Sequence, residues 1–141
     1  RGKGNAVLIK SAFPYSDDAD NSTSPTEMVS SMQKLNPAVS GGTRPPEKLC
    51  SGQTLLCQSL NIKVTDWDCR DFDEDIFFID DVGISPGKII QTTRMGIPAG
   101  RDEHLMYRYI DYEHARFCTS NPLNKRNWLE NRDYTILDNT P

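Results

Sequence analysis

Leu49 to Ile62 have the sequence LCSGQTLLCQSLNI, and this stretch contains the helix around which we arrange the other elements. The helix is predicted to run from about Ser51 to Leu60. Leu56 and Leu60 are one turn apart and therefore lie on one face, which can be buried. The fold must accordingly supply an apolar surface for this helix to cover.

A second helix is predicted upstream, where Ser24, Pro25, Thr26 and Glu27 form a helix start. Ser24 can cap the free amides, Pro25 suits the first helical position, and Glu27 completes a capping box. Met28, Met32 and Leu35 then lie on one apolar face of this helix. Asn36-Pro37 is predicted to end it.

Strands are predicted where β-branched, aliphatic and aromatic residues run together, at residues 5–10, 76–79, 88–94, 105–110 and 116–119. Polar segments between these elements are predicted to be loops, at residues 16–24, 36–48 and 66–75. Helices and strands are mixed without a regular βαβ alternation. We therefore predict an α+β fold with a mixed, curved sheet and a few packed helices.

The composition of the 141 residues is that of an ordinary globular domain, with 36% hydrophobic and 26% charged residues. No apolar run approaches the roughly 20 residues that a membrane helix needs, so no membrane partner is predicted. The formal net charge of -4 counts weakly against a nucleic-acid partner, because a local basic patch could still bind DNA. Since the chain begins with Arg1, we expect it to be a piece of a longer protein.

The residues that could bind a metal have simpler interpretations. The four cysteines form no CxxC pair, which favours free buried thiols in a reducing compartment. The acidic loop from Asp66 to Asp75 lacks the glycine and the glutamate that a calcium loop needs at its sixth and twelfth positions. His104 and His114 lie near several carboxylates, but nothing fixes their geometry, so we interpret them as surface residues. No metal site is predicted.

The start of the central helix, Ser51-Gly52-Gln53-Thr54, is a candidate anion site. Free amides at a helix start, together with the helix dipole, can bind a phosphate. Every capped helix has such an end, so an ordinary helix start is the alternative interpretation. The segment lacks the GxxxxGK[ST] pattern, which excludes a nucleotide P-loop.

Residues 49–62 are also similar to a motif of the alkyladenine (3-methyladenine) DNA glycosylase family, L-C-x-G-P-x-K-L-C-Q-A-L-x-I. Residues 4–14 resemble the family's G-A-x-V-L-[LI]-R-A-x-x-P. Four further segments resemble family motifs in the same order: Met32-Gln33-Lys34, residues 67–72, Thr93 to Ile97, and Arg116-Phe117 with Asn121-Pro122. Six motifs in the right order cover about Gly4 to Pro122.

The resemblance implies a DNA repair enzyme that acts on double-stranded DNA containing damaged purines. Such an enzyme flips an alkylated or deaminated purine out of the duplex, and water activated by a glutamate then cleaves the base from its sugar. Neither a metal nor an organic cofactor is implied. The resemblance further implies a monomer with a nuclear location. Residues 1–124 would be the C-terminal half of the glycosylase domain and 125–141 a polar tail.

The family's catalytic glutamate lies in an E-T-E-A-Y segment before the strand that opens this chain, and that segment is absent here. Lys10 occupies the position of a family arginine whose main-chain carbonyl helps to hold the attacking water. The resemblance also implies that DNA is contacted by Ser51, Gly52, Gln53, Thr54 and Arg94. The fragment alone is therefore expected to be inactive.

Three departures from the family pattern leave alternatives open. Gln53 and Leu55 replace a proline and a lysine, and loss of the lysine should weaken DNA binding. Residues 101–115 look like an insertion. One alternative is a non-catalytic module that binds damaged DNA. Another is a formyltransferase-type C-terminal domain, which the LCxG and LCQxL match disfavours because architecture alone does not demand it.

Overall fold

A computed structural model describes residues 6–14 and 25–139, which form two compact units that divide after Asp71. The first unit contains three helices, α1 (Pro25–Leu35), α2 (Gln53–Ser59) and α3 (Val64–Trp67). The second contains three strands, β1 (Lys88–Thr92), β2 (Arg108–Asp111) and β3 (Tyr134–Asp138). The predicted α+β class is confirmed. Across the described ranges, no helix combines the length and the apolar character needed to cross a membrane.

The first unit is organised around a buried asparagine that directly follows α1. α1 packs against α2, and Leu49, which lies just before α2, is fully buried. The Asn36 side-chain amide donates hydrogen bonds to the carbonyl oxygens of Leu49 (3.0 Å) and Leu55 (3.1 Å) and to Ser59 Oγ (3.1 Å). A buried amide needs such partners, so this one residue ties the end of α1 to α2.

The second unit is built on an antiparallel sheet in which β1 lies between β2 and β3. Ile90 is opposite Ile110 on one side and Ile136 on the other, so three isoleucines share a face. Ile90 is 0% exposed. On the same face Thr92 Oγ1 donates a 2.9 Å hydrogen bond to the Asp133 carbonyl. The three strands are antiparallel throughout, where a mixed sheet was expected.

The helix signals in the sequence locate two helices to within about two residues. α1 ends at Leu35, directly before the predicted Asn36-Pro37 stop. α2 occupies the interior of the helix predicted from residue 51 to residue 60. The predicted Ser24 cap lies outside the described residues. Proline placement at α1 and apolar spacing were therefore sufficient for these two elements.

The strand predicted at residues 5–10 is not formed in its described part. Residues 6–10 have no regular secondary structure and are exposed, with Val7 at 93%. Asn5 lies outside the described residues. Aliphatic composition favours a strand only where neighbouring strands bury the pleated surface. The segment is instead joined to the helical unit by a 3.0 Å hydrogen bond from the Ala12 amide to the Cys50 carbonyl.

The strand predicted at residues 76–79 is also wrong, because an aspartate turn forms in its place. Asp73 Oδ1 accepts the Asp75 amide at 2.9 Å, and the Asp73 carbonyl accepts the amides of Ile76 and Phe77. An aspartate side chain that bonds two residues ahead stabilises a turn and competes with strand pairing. Only a single antiparallel bridge, between Asp73 and Phe77, remains in this described segment.

Residues 116–119 do not form the predicted strand either. Ala115–Phe117 is a short 3-10 helix in which buried Ala115 anchors the turn. One helix and one strand were missed: α3, which overlaps the start of the segment predicted as an acidic loop, and β3, inside residues 125–141. The YTILD sequence of β3 has strand composition, but its pairing with β1, which is distant in sequence, is seen only in the structure. The division of the chain at residue 124 stays a prediction.

The four cysteines are free thiols, and they differ strongly in exposure. Cys50 is buried and Cys69 is exposed, so the prediction of buried thiols fails for Cys69. Burial raises the pKa of the Cys50 thiol, against a smaller lowering by its hydrogen bond with Ser59. Burial also raises the pKa of Cys118, against the opposing charge of Arg108. A raised pKa reduces the reactive thiolate fraction near neutral pH.

Iodoacetamide is accordingly expected to label Cys69 well before Cys50 and Cys118 in the folded chain. Peptide mass spectrometry over a time course at neutral pH measures the order of labelling. The same chain unfolded in urea is the control, and there the four thiols should react at similar rates. Early labelling of Cys50 under native conditions would contradict the burial of its thiol.

Candidate functional site

The start of α2 has the geometry of an exposed helix N-terminus. Gly52 precedes the helix in an extended conformation (φ -158, ψ 160), and its carbonyl accepts the first helical hydrogen bond from Leu56 at 2.8 Å. No side-chain hydrogen bond caps this start within the described part of the chain. Ser51 Oγ donates instead to the Lys48 carbonyl at 3.3 Å. Because a helix leaves its first amides without internal partners, they remain free to meet an acceptor.

Two of the predicted site residues meet at this helix start. Lys10 Nζ donates a 3.2 Å hydrogen bond to Gln53 Oε1, and both side chains are exposed. Thr54, the next residue of α2, is exposed as well. The lysine therefore brings a positive charge to the amides of the first helical turn. The predicted role of the Lys10 carbonyl in holding water stays a prediction.

Arg94, the other predicted DNA contact, lies in the second unit and lines an open concavity of about 470 Å³. The residues that line it with Arg94 are Ile97, Pro98, Arg101 and Asp102. Both arginines are exposed, and the apolar lining residues are half-buried Ile97 and exposed Pro98. The concavity therefore combines two positive charges with one carboxylate.

The loop that carries Arg101 is held by a single carboxylate. Glu103 Oε1 accepts the Gly100 amide at 3.0 Å, and Glu103 Oε2 accepts the Arg101 amide at 3.1 Å. The hydrogen bond from the Gly100 amide lowers the pKa of Glu103, and the one from Arg101 adds to this effect. Glu103 therefore stays ionised down to lower pH than a free glutamate, and its hold on the loop is lost only in acid.

The histidines are surface residues, as predicted. His104 and His114 are both exposed, and His114 Nδ1 contacts Asp111 Oδ2 at 2.6 Å. Over residues 6–14 and 25–139, no group of three or more histidine, cysteine or acidic side chains is arranged to hold a metal ion. The acidic segment of residues 66–75 is exposed apart from half-buried Trp67.

Sequence reasoning did not single out Arg101 or Glu103, because both lie in the segment interpreted as an insertion. A signal was present in the sequence, since Arg94 and Arg101 enclose a loop with glycines at its two ends, Gly96 and Gly100. Both glycines have positive φ, as a reversing loop requires. What the spacing could not show is that both arginines line one concavity.

Curated relatives match nearly the whole chain. A protein of Pseudomonas savastanoi pv. phaseolicola named "Putative 3-methyladenine DNA glycosylase" is 57% identical over 97% of this chain and 59% of its own length. Proteins with the same name in Pseudomonas fluorescens and Pseudomonas aeruginosa are 50% and 48% identical, over 97% and 96% of this chain. They are covered to 57% and 55% of their own lengths. No solved structure matches with significant similarity.

The relatives contradict one prediction, and their lengths can be compared with the length of this chain. They are bacterial proteins, and bacteria have no nucleus, so the predicted nuclear location is wrong. The chain spans a little over half the length of the curated relatives it matches.

The sequence also matches the family described as methylpurine-DNA glycosylase over residues 1–115. Five of the six motifs lie inside the matched range. The sixth, at Arg116-Phe117 and Asn121-Pro122, lies beyond it. Inside the matched range, β2 (RYID) also begins with a basic and an aromatic residue, as the sixth motif does at Arg116-Phe117. Since the match covers most of the chain, the chain belongs to the methylpurine-DNA glycosylase family.

Proposed function

We propose that this chain is part of a DNA repair glycosylase that hydrolyses the N-glycosidic bond of alkylated or deaminated purines. The proposal rests on the 57% identity, over 97% of the chain, to a protein named "Putative 3-methyladenine DNA glycosylase". In the reaction, the oxygen of water bonds to the sugar carbon, the carbon–nitrogen bond breaks, and its electron pair leaves with the purine. A damaged base is unstacked at lower cost than a normal one, which contributes to selectivity.

In this proposal the chain binds DNA as a monomer through the start of α2 and through Arg94. The free first-turn amides of Gln53 and Thr54 would donate hydrogen bonds to a backbone phosphate, as a helix N-terminus favours. The Lys10–Gln53 hydrogen bond supports this role, because it holds an ammonium group beside those amides. The Lys10 carbonyl would help to hold the attacking water.

We further propose that the general base is a glutamate outside these 141 residues, since the chain contains no E-T-E-A-Y segment. A carboxylate is required because water at neutral pH is a weak nucleophile until a proton is removed from it. The chain would then bind damaged duplex by itself without releasing a base.

A chimera with a relative tests the proposal directly. The 137 residues matched in the Pseudomonas savastanoi protein are replaced by the corresponding part of this chain. The chimera is expected to release hypoxanthine or 3-methyladenine from duplex DNA, measured by chromatography of the free base. The isolated 141-residue chain should release none.

A non-catalytic module that binds damaged DNA is the second candidate. It is favoured by Leu55, where the family has a lysine, and by the acidic sequence pI of about 5.1. The unmodified relative is the control for the chimera experiment. A folded chimera that binds lesion duplex but releases no base, beside an active relative, would support this second function against the first.

A further inference from the structure

The concavity at Arg94 and Arg101 contains two cations without partners. No hydrogen bond or ion pair joins either guanidinium group to another residue in the part of the chain that the structure describes. Two other arginines of the same unit are engaged: Arg108 donates to the Thr119 and Ser120 carbonyls, and Arg132 pairs with Asp133. Arg94 and Arg101 are therefore available for an external anion.

We propose that Arg94 and Arg101 together bind one phosphate group of the DNA backbone. The inference rests on the proposed function and adds Arg101 and its loop to the DNA-binding surface. A guanidinium group presents several N–H donors in a planar fork that matches phosphate oxygens. Two such groups at one concavity can hold a phosphate from both sides.

The net charge of the lining suits a phosphodiester. Two arginines and one aspartate, Asp102, give +2 - 1 = +1. A phosphodiester carries one negative charge, so the two charges balance. The half-buried side chain of Ile97 lines the same concavity.

The backbone that presents Arg101 is fixed before any ligand binds. The Arg101 amide donates both to the Pro98 carbonyl (3.2 Å) and to Glu103 Oε2 (3.1 Å), while the Gly100 amide donates to Glu103 Oε1. Glu103 is therefore a positioning residue. The two backbone amides that bind its carboxylate stabilise it in the ionised form. A preorganised loop loses less conformational entropy when it binds.

The experiment measures binding of the chain to a fluorescent duplex containing hypoxanthine, by anisotropy at several salt concentrations. In Arg101→Gln the slope of log affinity against log salt should fall by about one, and low-salt affinity should fall about three- to tenfold. Arg70→Gln is the matched control, since Arg70 is exposed and its side chain makes no hydrogen bond, ion pair or ring contact in the described structure. It should leave the slope unchanged.

A second variant changes affinity in the opposite direction. Asp102 has a positive φ of 61, a conformation that asparagine adopts at least as readily. Asp102→Asn therefore removes one negative charge without disturbing the loop. We expect about two- to fivefold tighter binding, the size of effect of one exposed charge.

The outcomes separate the site from the proposed function. If wild type binds duplex and Arg101→Gln binds with the same slope and affinity, the phosphate site is overturned while DNA binding stands. If wild type binds no duplex, inorganic phosphate is titrated and the side-chain resonance of Arg94, which is present in both wild type and Arg101→Gln, is followed by NMR. A shift that Arg101→Gln abolishes then assigns the site to free phosphate compounds and sinks the proposed function. No shift overturns both.

Discussion

Replacing Ile90 with alanine is expected to lower the free energy of unfolding of the sheet unit by about 2–5 kcal/mol, the range for truncating a buried isoleucine. Ile90 is 0% exposed at the centre of β1, opposite Ile110 and Ile136. Truncation removes the contacts with both neighbours and leaves a cavity that a three-stranded sheet has few side chains to fill. Urea unfolding followed by circular dichroism measures the effect.

The adjacent residue on the same strand is the control. Ile89 points to the opposite face, is half-buried, and pairs with Asp111 and Leu137. Ile89→Ala removes the same atoms and keeps the same backbone, so it should cost clearly less than Ile90→Ala. Equal losses for the two variants would mean that β1 has no single buried face, which the observed strand register excludes.

Replacing Asn36 with leucine is expected to destabilise the helical unit by about 2–3 kcal/mol, because buried acceptors lose their donor. The Asn36 amide is the shared donor to Leu49, Leu55 and Ser59, and the residue is only 2% exposed. Leucine fills a similar volume but donates nothing. Ser59 Oγ still donates to the Leu49 carbonyl at 2.8 Å, which limits the loss.

Gln58→Leu is the matched variant for this prediction, since it also exchanges an amide for leucine but lies on the exposed face of α2. Its stability should stay within about 0.5 kcal/mol of wild type, as for most surface substitutions. Amide hydrogen exchange across α2, measured by NMR, should quicken in Asn36→Leu and not in Gln58→Leu. Unchanged exchange in both variants would show that the Asn36 network does not hold α2.

The two helix predictions, which rested on neighbouring residues, were correct, whereas several strand predictions, which depended on pairing with distant residues, failed. α1 and α2 were located because proline placement and apolar spacing act within a few residues. The aliphatic runs at 6–9 and 76–79 have strand composition but are largely exposed in the structure. Composition cannot tell whether a partner strand is present, and at Asp73 a turn formed by an aspartate side chain displaced the strand.

The candidate site divides in the same way. The similarity of residues 49–62 to a family motif and the helix start at Ser51 to Thr54 were visible in the sequence. The hydrogen bond between Lys10 and Gln53 was not, because it joins residues 43 positions apart. Arg101 was assigned to an insertion, although it lines the same concavity as Arg94.

Sequence information was therefore sufficient for the family, the α+β class and the two longer helices, since these depend on ordered motifs and on local hydrogen-bonding preferences. The folded chain was needed to show that β3 completes the sheet, that Asn36 binds α2, and that Arg94 and Arg101 line one concavity. The physical reason is that burial, strand pairing and charge pairing depend on residues that are distant along the chain. A local sequence pattern does not show which of these residues come together in the fold.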